Sequence, residues 1–245
     1  MFALLAIVST AVTGFMDPAS SKYTSAALSH RHPRTHLVGN HGLGGFLQAM
    51  TLPLFWEIVD RSVGYNVCDV ALTKLSPRNR ENFHKLTAYD LGCGIGRFSV
   101  ALARQNVKSI KAIDASEMML SFAKMLTYPH KIKYLQENVV DAVIDKCDLV
   151  VASFLMHELP PSGHRLLLEN ALRKLKSGGQ MLVVDADPDN TVLSRAVIDT
   201  MEPFFDEYQA SFVDTCKELS RIHKCHYAYE KIDEGRCVVW ILTKF

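Results

Sequence analysis

Three stretches of the chain place glycines and polar side chains where chemistry needs them. The first is Tyr89-Asp90-Leu91-Gly92-Cys93-Gly94-Ile95-Gly96. A glycine-rich turn between a strand and a helix lets a ligand approach the backbone closely and presents helix N-terminal N–H groups, which suits a nucleotide-like cofactor. A G-x-G pattern alone says little. The dinucleotide fingerprint G-x-G-x-x-G would need glycine where this chain has Arg97. The second stretch is Lys111-Ala112-Ile113-Asp114-Ala115-Ser116. Asp114 ends a strand 22 positions after Gly92, and a carboxylate there can accept from two ribose hydroxyls at once. NAD enzymes place an acid similarly, so Asp114 points to a nucleoside without naming the cofactor. The third is a pair of strand ends, His157-Glu158 after one and Asp185 and Asp187 after another. Both lie at the carboxyl edge, where open α/β sheets bind ligands. Histidine titrates near physiological pH, so His157 is the candidate general base; it can equally pack or cap the following turn. Asp185 and Asp187 can hold a cationic or hydroxylated acceptor, or cap the next helix.

Positioning these residues takes an alternation of strands and helices. Strands are expected over 86–90, 109–114, 132–136, 148–154 and 181–185, with helices over 96–105, 116–126, 162–175 and, with breaks that include Pro203, 191–222. Ser116 is a plausible N-cap. The run 148–154 is apolar on both faces, as a central parallel strand should be. Ser177-Gly178-Gly179 ends a helix, and Asp233-Glu234-Gly235 joins two closing strands, 226–232 and 236–243. Ahead of the alternation, Phe46, Leu47, Met50, Leu54, Phe55, Ile58 and Val59 recur at helical spacing, with a kink or new first turn at Pro53. A second short helix is expected over about 65–75, ended by Ser76-Pro77. These helices form a cap that covers the core, or a lid over a pocket. Gly42-Leu43-Gly44-Gly45 reads as a flexible junction before them.

Composition bounds the function classes. The 245 residues carry 27 Lys+Arg against 26 Asp+Glu, a net charge of +1. That balance gives no footing for nucleic acid by bulk electrostatics. The six cysteines form no C-x-x-C pair and no zinc spacing, so they read as buried thiols and no metal is expected. Residues 2–12 form one apolar run, too short to span a bilayer as a helix, which needs roughly 20 residues. Its length fits the core of a signal peptide over 1–14. From 15 to 41 the only acid is Asp17, amid histidines, Ser/Thr, Lys22, Arg31 and Arg34. That is a transit-peptide composition. Together, with Phe15 following small residues, they resemble the bipartite presequence of proteins sent to secondary plastids in algae. Plastid import is therefore the expected destination, with secretion or endomembrane residence as the alternative. No transmembrane helix is expected after presequence removal. The chain divides into 1–14, a transit-like or disordered 15–44, a helical cap 45–80 and a cofactor-binding domain 81–245.

An acid, an apolar residue and then G-x-G-x-G, as at Asp90 to Gly96, resembles motif I of the class I S-adenosylmethionine-dependent methyltransferases. Three further segments follow in that family's order: Asp114 after the second strand, Gln136-Glu137-Asn138-Val139, and Asp148 to Pro160 with its apolar strand and His-Glu-Leu-Pro turn. Lys174 to Leu182 adds a basic helix end, two glycines and a strand. The resemblance covers about residues 86–245. It implies a three-layer Rossmann-like α/β fold, with a mostly parallel seven-stranded sheet, a reversed last strand and the N-terminal helical cap. It also implies S-adenosylmethionine as cofactor, bound by Asp90, Gly92, Cys93, Gly94, Gly96, Asp114, Ala115, Asn138, Val139 and Ser153, with Asp141 as the fallback for Asn138. The reaction implied is in-line methyl transfer, with His157 as the catalytic candidate. Asn/Asp-Pro-Pro-Tyr is missing after the fourth strand, where Ser153-Phe154-Leu155-Met156 stands, so a small-molecule acceptor is favoured. The alternatives are a non-catalytic S-adenosylmethionine-binding partner protein and, against Arg97 and Asp90, a nicotinamide-dependent oxidoreductase.

Overall fold

Val150 and Ala152 face one way along their strand, and Leu149 and Val151 the other; all four are fully buried. Such a strand must lie inside a sheet covered on both sides. The computed structural model describes residues 42–187, 204–232 and 237–245 and places it there. In chain order the elements are α1 (Gly42–Val63), α2 (Val67–Leu72), α3 (Pro77–Glu81), β1 (Thr87–Leu91), α4 (Arg97–Arg104), β2 (Ser109–Asp114), α5 (Glu117–Leu126), β3 (Ile132–Gln136), β4 (Cys147–Ser153), α6 (Pro161–Lys174), β5 (Leu175–Ala186), α7 (Phe205–Ile222), β6 (Cys225–Ile232) and β7 (Cys237–Lys244). The sheet order is β3-β2-β1-β4-β5-β7-β6. Strands β1 to β5 pair in parallel, while β7 runs antiparallel to both β5 and β6. The expected three-layer fold with a reversed last strand is the fold observed. Strand order reverses between β1 and β4, which opens a crevice at their carboxyl ends.

Two cores sandwich the sheet by strand alternation. Tyr89, Leu91, Val150, Ala152, Met181, Val183 and Trp240 pack with Leu167 and Leu168 of α6 and Phe212 of α7. Ala88, Leu149, Val151, Leu182, Val184 and Val239 pack with Val67 and Ala71 of α2 and Phe98 and Leu102 of α4. Each fully buried Leu or Phe contributes roughly 1.5–3 kcal/mol by removal from water. The alternation also assigns the acids. Asp90 shares the face of Ala88 toward α4, and Asp185 shares the face of Val183 toward α6 and α7.

Several boundaries differ from expectation. Gly42 to Gly45 is the first turn of α1, not a junction, and α1 runs through Pro53 as one element. Once a helix nucleus exists each further residue adds a bond, so packed residues downstream carry the glycines with them. Helix α2 is shorter than expected, capped by Asn66 Oδ1, which accepts from the Cys68 and Asp69 amides at 2.9 and 3.3 Å. Helix α3 and a 3-10 turn at Phe83–Lys85 follow it. They are tied to β5 because Ser76 N and Asn79 Nδ2 both donate to Gln180 Oε1 at 2.8 Å. Ser177-Gly178-Gly179 lies inside β5 rather than ending α6. The pairing of Cys147 with Leu175 and of Leu149 with Gln180 makes those residues an irregularity in the ladder, with Gly178 at φ +74°. The six cysteines are buried thiols. Among the described residues no helix is long and apolar enough to cross a membrane. The presequence reading of 1–41, the 191–203 part of the broken helix and the turn at 233–235 lie outside the described residues.

Candidate functional site

The turn after β1 needs glycine for its backbone. Gly92, Gly94 and Gly96 sit at φ +69°, +52° and +83°, a region side chains rarely tolerate. The amides of Gly92 and Cys93 donate to Ile113 O at 2.8 and 3.0 Å. Gly94 N donates to Asp114 Oδ2 at 2.8 Å, and Ser116 N to Asp114 Oδ1 at 2.8 Å. The amides of Gly92, Cys93 and Gly94 thus have partners within the protein. Those N–H groups stitch the turn to the end of β2, because buried amides must find partners. What the turn offers instead is close approach. A Cβ at Gly94 would meet nothing within 4 Å, while one at Gly92 would meet Leu155 Cδ2 at 2.8 Å. Gly96 differs: a Cβ there would meet Tyr134 Oη at 2.8 Å and Thr127 Cγ2 at 2.9 Å, so it serves packing.

Asp90 is fully buried behind the turn. Ser99 Oγ donates to its Oδ2 at 2.6 Å, and Oδ1 has no partner. Burial pushes its carboxyl up to about 7; the Ser99 hydroxyl pulls it down and the Asp114 charge pushes it further up. An orphaned buried carboxylate oxygen is costly. The remaining donor-side residues gather at the same edge. Glu137 N donates to Asp114 O at 3.2 Å, and Gln136 Nε2 to Ala115 O at 3.3 Å. Asn138 is buried, with Oδ1 accepting from Val140 N at 3.1 Å, and the Val139 side chain lies in the core. Ser153 ends β4 opposite Val184.

Across the crevice, β4 ends in a 3-10 turn over Met156–Glu158. Asp185 is fully buried and holds this turn. Its Oδ2 accepts from Met156 N at 2.7 Å, and its Oδ1 from Ala186 N at 2.8 Å and from His157 Nδ1 at 2.5 Å. With Nδ1–H donating, Nε2 is the acceptor nitrogen of His157. Behind the turn His164 is fully buried and donates from Nε2 to Met156 O at 2.7 Å. Burial holds its imidazole below the ordinary range. Tyr208 Oη donates to Ala186 O at 2.7 Å. Composition and spacing carry no sign of His164, which packs from α6 against Tyr208 and Phe212.

The cap closes over this edge. Trp56 of α1 stacks against Phe154 with centroids 4.8 Å apart, and the Arg97 guanidinium lies 4.4 Å over the Trp56 ring while pairing with Asp60. Ala49, Leu52 and Trp56 pack with Ile95 of the glycine turn and Met119 of α5. Arg97, met in the sequence only as a missing glycine, is a fastening point of the cap.

A family model described as "Methyltransferase domain" matches residues 88–179, which span β1 through the irregularity in β5. Residues 88–179 therefore carry a methyltransferase domain, and the fold is that of the class I S-adenosylmethionine-dependent methyltransferases. Among curated relatives, this chain is 27% identical over 117 residues to a carboxy-S-adenosyl-L-methionine synthase from Psychrobacter sp., covering 44% of this chain and 43% of that one. It spans about half the length of the curated relatives it matches. Two solved structures share its fold. A possible histamine N-methyltransferase from Thermotoga maritima superposes with TM-score 0.57 at 20% identity, covering 81% of this chain and 98% of that one. The plantazolicin methyltransferase BamL, in complex with a triazolic desmethylPZN analog and SAH, superposes with TM-score 0.58 at 15% identity, covering 81% and 95%.

Proposed function

We propose that this chain transfers a methyl group from S-adenosylmethionine to a small-molecule acceptor. The observation that carries the reading is Asp114, whose two oxygens grip Gly94 and Ser116 beside open ground at Gly94. The same carboxylate is the acceptor a ribose diol requires. The orphaned Oδ1 of Asp90 fits a cofactor that brings N–H donors. When bound, the sulfonium supplies an activated methyl and a good leaving group. The chain's own work is to align the acceptor, exclude water under α1 and take a proton. We assign the proton to His157, oriented by Asp185. Arg97 is committed to Trp56 and Asp60, and nothing at the turn reproduces a third dinucleotide glycine. Calorimetric titration of the full chain with S-adenosylhomocysteine and with NAD is the test. Binding of the first alone is expected; binding of NAD alone overturns the reading.

A further inference from the structure

The residue before His157 is held at both of its backbone polar groups. Met156 N donates to Asp185 Oδ2 at 2.7 Å, and Met156 O accepts from His164 Nε2 at 2.7 Å. That carbonyl belongs to the peptide bond that carries His157, whose Nδ1 lies 2.5 Å from Asp185 Oδ1. The second hold comes from the first turn of α6, which starts with proline at its first position. Gly163 N and His164 N both donate to Pro160 O, at 2.8 and 3.1 Å. The His164 backbone is thereby set eight residues from the carbonyl that its ring reaches. The imidazole is fully buried and edge-on to Tyr208 and Phe212 of α7, with ring centroids 6.2 and 5.3 Å away. A carbonyl can only accept, so Nε2 carries the ring proton. Burial pulls this imidazole below the ordinary histidine range, while Met156 O and Asp185 push it back up. Its Nδ1 has no hydrogen-bond partner. A buried nitrogen left unpaired is destabilising. What the ring contributes against that is one N–H, fixed on the Met156 carbonyl.

We propose that His164 is a positioning residue for His157: its Nε2–H fixes the Met156–His157 peptide, which keeps the His157 ring on Asp185 and so keeps Nε2 as that ring's accepting nitrogen. The proposal rests on the reading above of His157 as the group that takes the proton. Asp185 orients the ring from its own strand, and His164 orients the backbone from which the ring hangs. Without His164 the Met156 carbonyl would be buried and unpaired, and the peptide would turn to find another donor. The His157 side chain would turn with it. A misplacement of about 1 Å at a reacting group can lower a rate on the order of a hundredfold.

The test is nitrogen-resolved NMR of the imidazole rings in the full chain, at a pH alkaline enough for neutral histidine. It reads the tautomer of each ring and needs no methyl acceptor. His157 is assigned by the signals that His157→Gln removes. In the parent those signals should be two well-separated nitrogen shifts, one tautomer with its proton on Nδ1. His164→Gln carries an amide N–H of similar reach and should preserve that pattern. His164→Asn is polar but too short, and His164→Leu has no donor. In both, the separation should shrink by roughly half as the His157 ring samples both tautomers. A lower melting temperature in these two would also follow if His164 served packing alone; the His157 signals tell the roles apart. Unchanged His157 signals in His164→Asn overturn the proposal, and so does their loss in His164→Gln. Should His164→Leu fail to fold, the Gln and Asn variants decide between them. Donor binding is read separately: a chain that does not bind S-adenosylhomocysteine by calorimetry overturns the methyl-transfer reading, whatever the His157 signals show.

Discussion

The two halves of the crevice are built by different means. The half proposed for the donor is made of backbone: three glycines at positive φ, amides spent on Ile113 O, and one carboxylate that closes the turn. The acceptor half is made of side chains from distant elements. His157 comes from the turn after β4, Asp185 from β5, His164 from α6 and Tyr208 from α7. Backbone geometry constrains what can approach it to one shape, which suits a cofactor common to many reactions. A side-chain constellation can be exchanged residue by residue, which suits acceptors that differ. Changes in the first half should therefore remove binding, and changes in the second should remove turnover.

The largest effect is expected at the glycine turn. Gly94→Val places a β-branched residue at φ +52° on the ground proposed for the cofactor, although its Cβ meets no protein atom within 4 Å. Asp114→Ala removes acceptors worth about 1.5–3 kcal/mol each when charged, so affinity should fall on the order of a hundredfold or more. Calorimetry with S-adenosylhomocysteine reads both, and thermal melts should show each protein still folded. Gly96→Val sharpens the contrast. It collides with Tyr134 and Thr127, so it should lower the melting temperature first. A Gly94 variant that binds normally would dissolve the distinction between the two glycines.

Next comes the dyad. Asp185→Asn keeps the size of the side chain but cannot hold His157 in one tautomer. General-base steps contribute about 10²–10⁴-fold, and kcat should fall within that span while affinity for S-adenosylhomocysteine stays put. If donor affinity falls in step with kcat, the halves are not independent.

What the sequence disclosed follows the same division. Strands β2 and β3 match their expected bounds, and Ser116 caps α5 by accepting from Met119 N at 3.2 Å. Glycines and acids at strand ends are local signals, because one residue's backbone needs determine its type. Gly92, Gly94 and Asp114 could be singled out for that reason. The use of the turn's own amides by Ile113 could not, since it depends on how β1 and β2 pair. His164 was invisible for another reason: a histidine on a buried helix face looks like any core residue until the Met156 carbonyl is placed opposite it. The start of β5 was missed because Gly178 and Gly179 serve an irregular ladder and not a helix end. Arg97 carried no signal of its role, which needs Trp56 and Asp60 from a helix some forty positions earlier to arrive beside it.

Those cap contacts support a smaller prediction. Trp56→Ala removes the Arg97 stacking and the Phe154 contact, each worth roughly 0.5–2 kcal/mol. The cap should loosen, raising the Kd for S-adenosylhomocysteine about tenfold with the sheet intact. Hydrogen exchange confined to α1 and the glycine turn would localise the change. Exchange spreading through β4 and β5 would mean that α1 is part of the core and not a cover.

The smallest effect concerns charge shared between the halves. Burial raises Asp90 from 3.8 and Glu158 from 4.5, each to about 7. A carboxyl raised on folding keeps its proton in the folded chain where the unfolded chain has lost it. Its contribution to stability therefore declines as pH rises from about 4 through 7. The chain without ligand should melt lower at pH 8 than at pH 6 on account of these two groups. A bound sulfonium reverses the preference, because it favours both carboxylates ionised. S-adenosylmethionine must then expel protons to bind at pH 6 but not at pH 8, so its affinity should rise a few-fold across that interval, within the limit of about tenfold per pH unit for each proton released. S-adenosylhomocysteine carries no charge on sulfur and should show a flatter profile. The ratio of the two affinities, measured by calorimetry at both pH values in buffers of different ionisation enthalpy, counts the protons directly. Equal pH profiles for the two ligands would place the sulfur beyond the reach of Asp90 and Glu158, and the acids of the two halves would then act on different molecules.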